Sequence, residues 1–152
     1  MRWYCTSYVA NNYRVCRSRQ KKRRWLWECL PWDEPEGAST LREAKTKCEK
    51  HCGRKLHWEP EVWSTRWSFK GNSYFAYITK CFFMGGGPRF YWRASGTERA
   101  ANGTIARICW FVEGRACSVR EAKAAAEKAI RTLRKDLRKA VNRVAHKDKG
   151  EE

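Results

Sequence analysis

Aromatic and β-branched residues come in short runs along this chain, separated by polar and breaker residues, except in two stretches where apolar positions fall every third or fourth residue. The first kind of pattern predicts strands and the second amphipathic helices. Strands are expected near residues 3–9, 13–17 and 25–30, with a basic turn before the third. Trp32-Asp33-Glu34-Pro35-Glu36-Gly37 is rich in breakers and predicts a loop. Thr40-Leu41-Arg42-Glu43 then fits a capping box, in which hydroxyl and carboxylate each satisfy a free backbone N–H at a helix start. Leu41, Ala44, Cys48 and Cys52 form one apolar stripe, so a helix over about 40–52 buries them and exposes Arg42, Lys45, Lys47 and Lys50. Gly53 is placed to end it.

The pattern then restarts. A strand is expected over 57–67, a hairpin turn at Gly71-Asn72, and a strand over 74–83 that Gly85-Gly86-Gly87-Pro88 interrupts. Further strands are expected over 89–94 and 104–112, with Asn102-Gly103 as a tight turn. Ser118-Val119-Arg120-Glu121 is a second capping box, opening a helix that meets no breaker until Gly150. Val119, Ala122, Ala126, Ile130, Leu133, Leu137, Ala140 and Val144 recur in alternating steps of three and four, the spacing of a coiled-coil seam, so the helix is predicted to reach about residue 146. Its first half is expected to pack on its own sheet. The surplus, Leu133, Leu137, Ala140 and Val144, is then predicted to need another surface, which is the first module, a foreign partner, or a second copy of the chain in a homodimer through the C-terminal helix.

Shifting the chain by 78 residues superposes Ala38-Ser39-Thr40-Leu41-Arg42-Glu43-Ala44-Lys45 on Ala116-Cys117-Ser118-Val119-Arg120-Glu121-Ala122-Lys123, and the same shift places Trp32 on Trp110 and Tyr13 on Tyr91. The expectation is an α+β protein made by tandem duplication of a small antiparallel sheet followed by one helix, the second helix long. The domains predicted are 1–54, 55–132, and a helix extension with a basic tail over 133–152.

Charge changes the picture more than composition does. The 152 residues are 42% apolar and 14% aromatic, enough to bury a core, and nine are Trp. The formal net charge is +17. Arg14, Arg17, Arg19, Lys21, Lys22, Arg23 and Arg24 are interrupted by no acid, and residues 118–149 hold a further excess of Lys and Arg. Two basic foci of this kind imply an anionic partner, nucleic acid or an acidic protein. No segment approaches the roughly 18–20 apolar residues of a membrane span, so no membrane partner is expected. The opening residues have no secretory pattern, so the chain reads as cytoplasmic and its eight Cys as reduced. Cys48 and Cys52 fall on Ala126 and Ile130 in the shifted copy, which marks them as packing residues.

The sharpest chemical candidate is Arg17-Ser18-Arg19-Gln20-Lys21-Lys22-Arg23-Arg24 followed by Trp25: cations for phosphates, beside an aromatic that can stack on an unpaired base. The alternative is a solvated hairpin tip with structural tryptophans. Arg131, Arg134, Lys135, Arg138 and Lys139 on the last helix form a second anion-binding candidate; the alternative there is a solvated helix face. Glu43-x-Lys45 and Glu121-x-Lys123 superficially match a nuclease metal site, but both Glu already serve as caps. Cys48, His51 and Cys52 lack the paired short Cys spacings of structural zinc. With three His, three Asp and no phosphate-cradling loop, the sequence predicts no enzyme, no metal and no cofactor.

Gly114 through Glu127, above all Ser118-Val119-Arg120-Glu121-Ala122-Lys123-Ala124-Ala125-Ala126-Glu127, resembles small, mostly uncharacterised proteins of bacteriophages and prophages in which Trp/Tyr strands precede a capped E-A-K-x-x-A-E helix. The first copy departs from that pattern at Lys47 and Cys48. The resemblance implies an accessory protein of a phage or mobile element and carries no activity over. Together these features predict a non-enzymatic nucleic-acid-binding accessory protein; the alternatives are a phage-encoded inhibitor or adaptor docking on an acidic host or defence-system protein, or a virion component.

Overall fold

The computed structural model describes residues 1–19, 24–30, 34–69, 72–81, 89–99, 107–148 and 150, the side chains of 69, 98, 99, 107–110, 141 and 144–148 excepted. The chain is α+β. Its elements run β1 (Tyr4–Ala10), β2 (Tyr13–Arg17), β3 (Trp25–Cys29), β4 (Glu36–Ala38), α1 (Leu41–Cys52), β5 (Glu59–Phe69), β6 (Asn72–Lys80), β7 (Phe90–Arg99), β8 (Arg107–Ala116) and α2 (Val119–Asp148). The strands form one eight-stranded sheet in the order β4-β3-β2-β1-β5-β6-β7-β8. Two compact units divide the chain: Tyr4–Trp63, and Met1–Trp3 with Ser64–Glu152. The division falls inside β5, which runs eleven residues. Residues 133–148 belong to the unit of Met1–Trp3 with Ser64–Glu152.

In the unit Tyr4–Trp63, β1, β2, β3 and β4 pair as an antiparallel meander, with Val15 opposite both Tyr8 and Trp27. Alternation sends Tyr13, Val15 and Trp27 to one face, where they join Ala38, Ala44 and Cys48 in a core flanked by Trp25, Cys29, Leu41 and Trp58. Asn11 takes the left-handed conformation at φ 52° in the β1–β2 turn, which a short polar side chain tolerates. β4 replaces part of the loop expected over 32–37, with Glu36, Gly37 and Ala38 opposite Trp27, Leu26 and Trp25 of β3. The capping box of α1 forms as expected. Thr40 Oγ1 accepts from Glu43 N at 3.1 Å, and Ser39 N donates to Glu43 Oε2 at 2.9 Å. Gly53, at φ 79°, closes the helix with its N–H on Glu49 O.

In the other unit α2 packs on β6, β7 and β8. Tyr74, Ala76 and Ile78 of β6 and Trp92 and Ala94 of β7 are buried beneath Ala122, Ala126, Ile130, Leu133 and Leu137 of α2. Two glycines permit this closeness: a Cβ on Gly114 would stand 2.8 Å from the Trp92 ring, and one on Gly96 3.0 Å from Tyr74 and 3.5 Å from Leu137. Trp3 Nε1 donates to Glu127 Oε1 at 2.8 Å, which ties the first residues to the helix. The second capping box also forms, with Ser118 Oγ accepting from Glu121 N and Glu121 Oε2 accepting from Cys117 N, each at 3.1 Å.

At two positions the seam expected to meet another surface lies on its own sheet instead. Leu133 is 4% exposed and Leu137 0%, both covered by their own unit. The reason is strand length: β7 runs ten residues, about 34 Å of strand, so the sheet continues beneath the helix well past the 89–94 expected. Ala140 is half-buried, and the side chain of Val144 lies outside the described residues.

The 78-residue correspondence holds from Ala38 and Ala116 through the caps and along the helices, with Ala44 and Ala122, then Cys48 and Ala126, buried at equivalent positions. It does not extend into the strands. Tyr13 lies on β2, which β3 separates from β4, whereas Tyr91 lies on β7, which pairs directly with β8.

Candidate nucleic-acid interface

At the tip of the β2–β3 hairpin, Arg17 is opposite Trp25 and Ser18 N donates to Arg24 O at 2.7 Å. Arg17, Arg19 and Arg24 are exposed there, while Lys21, Lys22 and Arg23 lie outside the described residues. Two of the residues singled out in the sequence have other work. Trp25 is half-buried against the core with α1, its ring 6.5 Å from that of Tyr8. Arg14 is engaged by carboxylates. Its Nε and Nη2 donate to Glu61 at 3.0 and 2.9 Å, and Glu28 lies 3.6 Å from Nη1. β2 alternation explains this: Arg14 faces away from Tyr13 and Val15, beside the buried carboxylate of Glu61.

On α2, Arg131, Lys135, Arg138 and Lys139 are exposed opposite the buried stripe. Arg131, itself exposed, has the half-buried Glu127 at 3.8 Å, a pair of the solvent-screened kind that contributes little. Arg134 instead lies over the Trp67 ring, 4.9 Å from its centroid, and is half-buried.

The feature that the sequence reading missed is the sheet face turned away from α2. Register places Phe75, Ser95 and Phe111 in one row across β6–β8, Tyr77, Arg93 and Glu113 in the next, and Thr79, Tyr91 and Arg115 in the third. These side chains alternate with the buried Tyr74, Ala76, Ile78, Trp92 and Ala94, so they share the opposite face. The rings form a patch: Phe75 to Tyr77 and Tyr77 to Tyr91 are each 6.1 Å between centroids. The guanidinium of Arg93 lies 4.1 Å from the centroid of Phe111, which is itself 58% exposed, and Arg66 reaches over Phe75 at 5.8 Å.

Tyr91 Oη donates a short hydrogen bond to Glu113 Oε2. That bond, with burial second, pushes the phenol up to about 12, so it remains a donor at any physiological pH. Chemically, the face offers flat rings and guanidinium planes for stacking, cations for phosphate, and one oriented carboxylate. Period-two alternation in 72–80 and 90–97 was the available signal; the rows exist only through strand register.

Elsewhere Tyr13 Oη and His51 Nδ1 are 2.8 Å apart, and burial, with Cys29 and Cys52 alongside, pushes Tyr13 up to about 12. Cys48 is buried in the same core, and Cys52 packs against it. Among the described residues no group of three or more His, Cys, Asp or Glu is placed to hold a metal ion, and no helix is long and apolar enough to cross a membrane. No protein-family model, curated protein or solved structure matches the chain.

Proposed function

We propose that this protein binds single-stranded nucleic acid on the face of β6–β8 turned away from α2. The observation that carries the reading is the partly exposed array of Phe75, Tyr77, Tyr91 and Phe111 interleaved with Arg66, Arg93 and Arg115. A sheet face kept for solvent alternates with small polar and charged residues, whereas rings and guanidinium planes stack on unpaired bases. A net charge of +17 adds long-range attraction for a polyanion, to which the exposed cations of α2 and of the hairpin contribute. The mobile-element setting rests on the capped-helix resemblance alone.

The test is fluorescence anisotropy of labelled single-stranded and duplex oligonucleotides at two salt concentrations. Expected are tighter binding to single strands, weakening with salt, and a loss of about tenfold or more on Phe111→Ala, since stacking on one aromatic contributes ~1–3 kcal/mol. Absence of binding at low salt, or affinity indifferent to Phe111→Ala, overturns the reading. Copurification of a single protein band without material absorbing at 260 nm turns it to an acidic protein partner.

A further inference from the structure

The face of β6–β8 carries Arg93 and Arg115, Arg66 of β5 reaches over its Phe75, and within it stands Glu113. An exposed carboxylate on a surface that meets phosphates weakens binding of every polyanion, so its position calls for a return. Glu113 is the cross-strand partner of Arg93, whose guanidinium stacks on Phe111 two residues before Glu113 on the same face of β8. A base added to the Arg93–Phe111 stack brings its edge to the carboxylate, because residues two apart on a strand stand roughly 7 Å from each other, comparable to the half-width of a base plus one hydrogen bond. Tyr91 already donates to Oε2, which fixes the carboxylate and leaves an acceptor-only group facing the ligand.

The four bases differ in what they offer such a group. Adenine and cytosine present one amino donor beside a ring acceptor, and uracil one N–H between two carbonyls. Guanine alone presents two adjacent donors, N1–H and the N2 amine, which match the two oxygens of a carboxylate.

We propose that Glu113 makes this face selective for guanine in a single strand. The inference rests on the single-strand reading and deepens it. In a bidentate contact Oε1 and a remaining lone pair of Oε2 accept from guanine, while the other three bases set an acceptor against the carboxylate.

The test uses labelled uridine-tract RNA nonamers in which the central position is guanosine, adenosine, cytidine, uridine or inosine. The wild-type protein is expected to bind the guanosine probe about tenfold or more tightly than the adenosine, cytidine and uridine probes, as a good bidentate base contact provides. Inosine, which lacks the N2 amine, is expected to lose most of that preference. Glu113→Gln, a substitution at an exposed position, is expected to abolish the preference while keeping or raising affinity for the all-uridine probe, with an unchanged circular-dichroism spectrum. Equal affinity for all five probes, weakened uniformly by Phe111→Ala, overturns guanine selection and leaves the single-strand reading standing. A guanosine preference that persists in Glu113→Gln also overturns the assignment to Glu113. Failure of every probe to bind removes the underlying reading, and this inference with it.

Discussion

Arg14 and Glu61 hold each other through two parallel hydrogen bonds of 3.0 and 2.9 Å, and Ser7 Oγ donates to the same carboxylate at 2.8 Å. Glu61 is 8% exposed, so its charge depends on these donors. Arg14→Ala leaves the carboxylate with Ser7 among them, and a buried group stripped of a charged partner costs about 2 kcal/mol. The expected result is a lower urea midpoint with unchanged affinity for single-stranded RNA. Full stability combined with weakened binding would instead make Arg14 an anion ligand.

Leu137 occupies space that Gly96 leaves open against Tyr74. Leu137→Ala removes a fully buried side chain and is expected to destabilise the protein by about 3 kcal/mol in chemical denaturation. The sedimentation coefficient of the folded protein is expected to stay the same. A change of association state without loss of stability would restore this residue to an intermolecular seam.

Glu43 gives the stability of α1 a pH dependence. The Ser39 N–H, and after it Lys47, hold its carboxyl below the ordinary value of 4.5. A depressed carboxyl stabilises the fold above its unfolded-state value and loses that contribution as pH falls through the folded one. Melting temperature is therefore expected to fall more steeply for the wild type than for Glu43→Gln between about pH 5 and pH 3. Parallel curves would show that the cap contributes no charge-dependent stability.

Thiol reactivity separates two cysteines. Burial pushes Cys48 up to about 12, whereas Cys117, just before α2, is exposed. With iodoacetamide at pH 8, peptide mapping is expected to find Cys117 alkylated early and Cys48 untouched until denaturant is added. Early alkylation of Cys48 would mean that α1 separates from its sheet under native conditions.

Local chemistry sufficed wherever the determining interactions lie within a few residues. Thr40 with Glu43 and Ser118 with Glu121 could be paired by inspection because a capping box closes over three positions, and the stripes of α1 and α2 follow from 3.6 residues per turn. The α+β class follows from those helices and from the β-prone runs between them. Strand register, by contrast, joins residues far apart in the chain, so nothing local announced that Arg93 would face Phe111 or that β7 would extend far enough to cover Leu137. The same long-range pairing set Arg14 against Glu61 and packed Trp25 beside α1. Composition determined that the protein is strongly basic; the sheet decided which cations are tied to carboxylates and which share an open face with aromatic rings, because charge is a sum over residues and a binding surface is a matter of which side of a strand each one occupies.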